Sequence, residues 1–402
     1  MSRFLLALAA LFFTAPFAAA QNALPQRTIH YQALAERVVA QLQLEPGEKV
    51  ISLAMPGHMN EFIPYIRYAV MKAGGVDLGV IEILKTPFPE DWDAKLLRGG
   101  LNASQEAYVK LLEDVDAAIM LPGANPAHPA YKAMQRLLAT KKGPRRTIHF
   151  HWTDPYSQGG ADFGLTGVSL LPGHPPPPMQ AIDIMYQDAV LNTDLKALGA
   201  HQRRFVEAMK PAVVRVTSPL GTDISFRVQA GPPVIIQDGD ASARHAREAT
   251  TLVEREVEIP AGAIRVVPDD ASVNGVIAYG TSRWAARTAE NAKVFFTKGK
   301  VAKMTAAKGV ELMHEELDPL PASVKYFGGI ALGFNPQLAT PERYPWIAYY
   351  GYGAGVVRFG IGNNEEIGGS IGGSPYSRRD LFVDCTVALD GVVWVKDGKF
   401  VK

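Results

Sequence analysis

His149 and His151 alternate along residues 145–152, a run that reads as a strand, so both imidazoles point to one face; Asp154 follows and His174 lies further on. Imidazoles and a carboxylate at such spacing can build a metal site. The plainer reading, which is preferred, is a pair of strand-end histidines that are hydrogen-bonded or exposed. A second concentration of chemistry lies between Gly351 and Gly373, where glycine is dense around Asn363, Asn364, Glu365 and Glu366, with Arg378, Arg379 and Asp380 after it. Glycine-rich loops bring backbone N–H groups to anions, but no G-x-x-x-x-G-K-S and no strand-to-helix frame accompany this one, and turn-rich β structure explains it. Tyr344, Trp346, Tyr349, Tyr350 and Tyr352 can line a pocket there or pack a core. Ser374 has no G-x-S-x-G around it and no histidine base nearby, and Cys385 lacks a histidine partner and reads as buried, so no nucleophile is assigned.

These groups need elements to hold them. From Thr28 to about Arg146, helical and strand-like stretches alternate: Leu34, Val38, Val39 and Leu42 recur at helical spacing, and residues 50–55, 78–84 and 117–121 read as strands. Helices around residues 61–72 and 103–115 fall between them. Short connections of this kind predict a parallel sheet with helices on both faces. Residues 159–178 are rich in Gly and Pro and read as a loop, and residues 179–209 read as mostly helical, interrupted at Gly199. Past Pro211 the texture changes to short strands, and Asp-Gly at 390–391 and 397–398 signals hairpins. The sequence therefore divides near residue 211 into an α/β domain over 21–210 and a β-rich α+β domain over 211–402.

Met1, Ser2 and Arg3 precede an apolar run to Ala19, and an A-x-A exit ends at Ala20, the pattern of a signal peptide over residues 1–20. The expectation is an exported protein, periplasmic or secreted, cleaved after Ala20 and without a membrane anchor afterwards. A formal net charge of +1 supplies no field for nucleic acid, so small-molecule or peptide partners are expected. Cys385 is the only cysteine, which excludes an intramolecular disulfide and a cysteine-based zinc cluster.

Five segments in order carry a resemblance: Glu45-Pro-Gly-Glu-Lys-Val50; Arg215-Val-Thr-Ser-Pro-Leu-Gly-Thr-Asp223; Ile259-Pro-Ala-Gly262 with Ser272-Val-Asn-Gly275; Ala331-Leu-Gly-Phe-Asn-Pro336; and Gly355-Val-Val-Arg-Phe-Gly-Ile-Gly362. Together they resemble the aminopeptidase T family of metallopeptidases. The resemblance implies an N-terminal α/β domain with a parallel sheet, a C-terminal β-rich domain, a homodimer, and a two-metal centre on the second domain built from glutamate, histidine and aspartate near a tyrosine. Carried over position by position, those ligands fall on Ala263, Gly329, Arg358 and Phe382, the tyrosine falls on Glu365, and only Asp384 keeps a ligand type. Past Glu258 the sole histidine is His314, so no shift of register restores the set. Glu365, Glu366 and Asp384 can still offer oxygens to calcium or magnesium.

An arginine at a dication's position restores positive charge without coordination, and Arg358 is expected to pair with Asp384, either stabilising the domain or gripping an anion. The resulting expectation is a divergent relative that is not a conventional two-metal aminopeptidase, binds a small molecule or peptide through Arg358, Asp384 and Glu366, and needs no metal or cofactor. Two alternatives stay open: an active metal-dependent aminopeptidase or hydrolase, and a metal-free enzyme using Arg358, Glu365 and Asp384.

Overall fold

The computed structural model describes residues 28–84, 88–126, 128–140, 143–152, 174–175, 177–343 and 345–402. The leader, Asp154, Tyr344, most of the Gly- and Pro-rich loop and the Tyr349 side chain lie outside the described residues. Five parallel strands form the first sheet, in the order Val76–Glu82, Lys49–Ala54, Ala117–Met120, Arg146–Phe150 and Glu256–Ile259. Their central members are almost continuously apolar because helices cover both faces. On one face Leu34 and Val38 of Tyr31–Ala40 and Ile66 and Val70 of Ile63–Lys72 pack with Val50, Ile119, Ile148 and Phe150. On the other, Tyr131, Met134 and Leu138 of Pro129–Ala139 pack with Ile51, Leu53 and Met120. The parallel α/β architecture expected from the alternating pattern is present.

Two helices differ in detail from expectation. The helix predicted from residue 103 begins earlier, as Ala94–Leu111, because the Asp93 carboxylate accepts from the N–H groups of Lys95 and Leu96 at 2.7 and 2.9 Å. The run 179–209 breaks into Met179–Leu191 and Leu195–Met209, not at Gly199 but at Asp194, which caps the second helix through the Ala197 N–H at 3.0 Å. Among the described residues no helix is long and apolar enough to cross a membrane.

The second half is β-rich, as expected. It holds an eight-stranded sheet and a separate antiparallel five-stranded one, ordered Ser377–Phe382, Val357–Gly362, Phe327–Gly333, Ala263–Val266 and Ile235–Ile236. Strand alternation gives this five-stranded sheet two unlike faces. Ile264, Leu332, Val357, Phe359 and Phe382 turn into the main core with Val214, Ile224 and Ile277 of the larger sheet. Cross-strand register puts Arg265, Ala331, Arg358, Gly360 and Arg379 on the opposite face, the cleft face.

One segment runs from the sheet of one half into a sheet of the other. Glu256–Ile259 closes the parallel sheet against Arg146–Phe150, and residues 260–262 lead straight into Ala263–Val266 of the five-stranded sheet. A Cβ at Gly262 would lie 2.6 Å from the Asn335 Cβ and 2.8 Å from the Tyr352 carbonyl oxygen, so this crossing requires glycine.

Candidate functional site

Alternation on the last two parallel strands decides what reaches the cleft. Ile148, Phe150, Val257 and Ile259 enter the main core, which leaves His149, His151, Glu256 and Glu258 on the other face, towards Pro129–Ala139. His149 and Glu258 are direct register partners. His151 Nε2 and Glu258 Oε2 are in hydrogen-bonding contact, and His149 Nδ1 lies 3.7 Å from the same oxygen. Tyr131 Oη is 3.1 Å from His149 Nδ1, and the His149 and His151 rings are 4.0 Å apart. All three side chains are buried. Burial, with His151 alongside, lowers His149 to about 3 against the opposing pull of Glu258, and burial lowers His151 as well, so both rings are neutral at physiological pH. Burial raises the Glu258 carboxyl, opposed by His149, Arg265 and Arg358. Among the described residues these three are the group whose donor atoms, within 4.8 Å of one another, could hold a metal ion.

Facing them, the cleft sheet carries a cavity of about 40 Å³ over a floor of Gly328, Gly329, Gly360 and Gly362. Arg265 and Arg379 both donate to Glu366 Oε1, the latter at 2.7 Å. Burial raises the Glu366 carboxyl, but Arg265, Arg379 and Arg358 outweigh it and hold the group at about 2. Arg358 is only 5% exposed; its guanidinium lies 4.9 Å from the Tyr350 ring centroid and donates through Nη1 to the Tyr350 carbonyl oxygen at 3.4 Å. It makes no ion pair among the described residues. Burial and the neighbouring charges of Arg265 and Arg379 make its own charge costly and lower its pKa to about 10.

Of the residues expected to bind a ligand, the structure unites Arg358 and Glu366 at the cavity and leaves Glu365 and Asp384 apart. Glu365 is exposed and accepts from Asn363 Nδ2 at 2.7 Å. Asp384 does not pair with Arg358: the register sets Arg358 opposite Leu381, and Asp384 lies past the strand's end, near Asp397, with its carboxyl raised by burial and by that neighbour. Glu365 and Asp384 therefore share no site with Glu366, and the three do not form the oxygen-ligand cluster that the sequence left open. The positions that the resemblance assigned to metal ligands cannot hold a two-metal centre. Ala263 is packed with Tyr186 and Trp346, Gly329 belongs to the cavity floor, and Phe382 meets Phe359 edge to face in the core, ring centroids 5.1 Å apart. Trp346 and Tyr352 are core residues, and Cys385 is fully buried, which pushes its thiol up. His174 is exposed. Glu258 went unnoticed because its partner histidine is 107 residues away in sequence, and only strand register brings them together.

No family model and no curated protein matches the sequence. Solved structures do. One is AmpT from Thermus thermophilus, with a TM-score of 0.58 and 17% identity over 92% of this chain and 99% of that one. The chain has an aminopeptidase T-like fold. The 2,5-dihydroxypyridine dioxygenase from Pseudomonas putida matches this aminopeptidase T-like chain as well, with a TM-score of 0.58 and 15% identity over 92% of this chain and 96% of its own. Two neighbours named for different proteins share the aminopeptidase T-like architecture, so the chemistry has to be argued from the cleft's own residues.

Proposed function

We propose that the chain binds a small anionic molecule, or the carboxylate end of a peptide, in the cavity over Gly329 and Gly360, with Arg358 as the anchoring cation. The observation that carries this reading is a nearly buried guanidinium that has no ion pair among the described residues, set between Arg265 and Arg379, whose charges are shared with Glu366. A buried charge without a counter-charge is costly, and an incoming carboxylate offsets that cost through charge-assisted hydrogen bonds. The cavity admits a compact anionic group such as a carboxylate, with the rest of the molecule lying outside its mouth. One neighbour's name points to hydroxylated pyridines and the aminopeptidase T-like fold to short peptides, so ring compounds of the first kind carrying a carboxylate, and short peptides, are the two series to test. A conventional two-metal aminopeptidase does not fit, since of the positions assigned to its ligands only Asp384 keeps a ligand type.

The test is calorimetric titration and thermal shift with carboxylates of both series beside their neutral amides. Arg358→Met is expected to weaken the best acid by roughly 10- to 100-fold, the loss of one charged hydrogen-bonding anchor. Gly360→Leu should block binding: a Cβ there meets nothing closer than 3.5 Å, so the backbone accepts it while the side chain fills the cavity. Equal affinity for acids and amides, or full affinity in Arg358→Met, would sink the reading.

A further inference from the structure

We infer a mononuclear site for a first-row divalent transition ion, of the zinc or iron(II) kind, at His149, His151 and Glu258. The three residues stand at the C-terminal end of neighbouring parallel strands, the edge at which open α/β sheets place their ligands. Strand alternation sends both imidazoles to one side and register sets the carboxylate beside them, so the convergence follows from backbone pairing rather than from flexible loops. Two imidazole nitrogens and one carboxylate oxygen within 4.8 Å of one another are a donor set suited to zinc and to non-haem iron. Calcium and magnesium prefer oxygen-rich sets. With three protein ligands, further coordination positions stay open to water or to a bound molecule.

The surroundings are those of an outer shell. His149 Nε2 faces the Ala124 carbonyl oxygen at 3.4 Å; a proton there leaves the Nδ1 lone pair directed at the cluster, where Tyr131 Oη also lies. Exposures of 8%, 6% and 9% put all three ligands in a shielded position. Arg265 and Arg358 are the cations that act on Glu258, so this site adjoins the anion cavity. It is nevertheless separate from the positions on the five-stranded sheet that the family resemblance assigned to metal.

The experiment uses the full chain purified without chelator or polyhistidine tag, stripped, and then equilibrated with zinc alone or, anaerobically, with iron(II) alone. Metal is counted by mass spectrometry, and cobalt(II) substitution supplies a visible spectrum. The expected result is about one ion per chain, with an affinity at least ~100-fold weaker in His149→Ala, His151→Ala and Glu258→Gln, since even outer-shell losses reach that size. Circular dichroism identifies any variant that fails to fold. His151→Cys, which supplies a thiolate instead, should retain the ion and add a sulfur-to-cobalt absorption band. Asp384→Ala should keep the ion in full, and because the metal is counted with no anion added, a failed anion site and a failed metal site remain distinguishable. Absence of a stoichiometric ion, retention of it in folded Glu258→Gln, or its loss in Asp384→Ala would each overturn the inference.

Discussion

Arg358 and Glu366 show what a sequence discloses about single residues. Both were legible as chemistry, Arg358 because it stands where the resemblance places a metal-binding histidine and Glu366 because it sits in a glycine-dense loop. Their partners were not. Arg358 had been matched with Asp384 on charge alone, whereas strand register turns it towards the cavity and leaves Asp384 beyond the strand end. Glu366 bears a pH consequence. Its folded pKa is depressed to about 2 from an ordinary 4.5, although 37% of its side chain is open to water. The stability it contributes is therefore complete above about pH 4.5 and is lost as pH falls towards 2. Urea midpoints measured between these limits should fall less steeply in Glu366→Gln than in the parent chain. Equal slopes would show that the arginines do not stabilise the carboxylate.

Elements were more legible than contacts. Hydrophobic periodicity gives the parallel strands and their flanking helices, because buried strands must be apolar whatever surrounds them. It could not give the Asp194 break, which depends on one capping side chain, nor the strand Glu256–Ile259, whose alternating glutamates are accounted for only by the strand it pairs with. A polar network also joins elements across the C-terminal half. Arg378 on Ser377–Phe382 donates to both Asp380 oxygens at 2.8 and 2.9 Å and to Glu316 of helix Val310–Leu317 at 3.1 Å, while its guanidinium lies 3.5 Å from the Trp284 ring centroid. Asp380→Ala leaves that buried cation short of its bidentate partner. A loss of about 3–5 kcal/mol in chemical denaturation is expected, and a cost below about 1 kcal/mol, the scale of an exposed pair, would show that Glu316 suffices.

At the scale of the whole molecule, neither half completes the site. The first sheet takes its fifth strand, and the cleft its Glu258, from beyond residue 211. A fragment ending at residue 210 should therefore be digested rapidly by protease or aggregate under conditions in which the full chain resists, since an unpaired strand edge invites both. A fragment that stays monomeric and resistant would show that the four-stranded sheet is self-sufficient. The same pairing sets an order on biosynthesis. Residues are made from the N-terminus onward, so Arg146–Phe150 emerges as a bare edge more than a hundred residues before Glu256–Ile259 can cover it. During that interval the nascent chain offers a hydrogen-bonding template to any other strand. Whatever chaperone attends its synthesis has to guard this edge first.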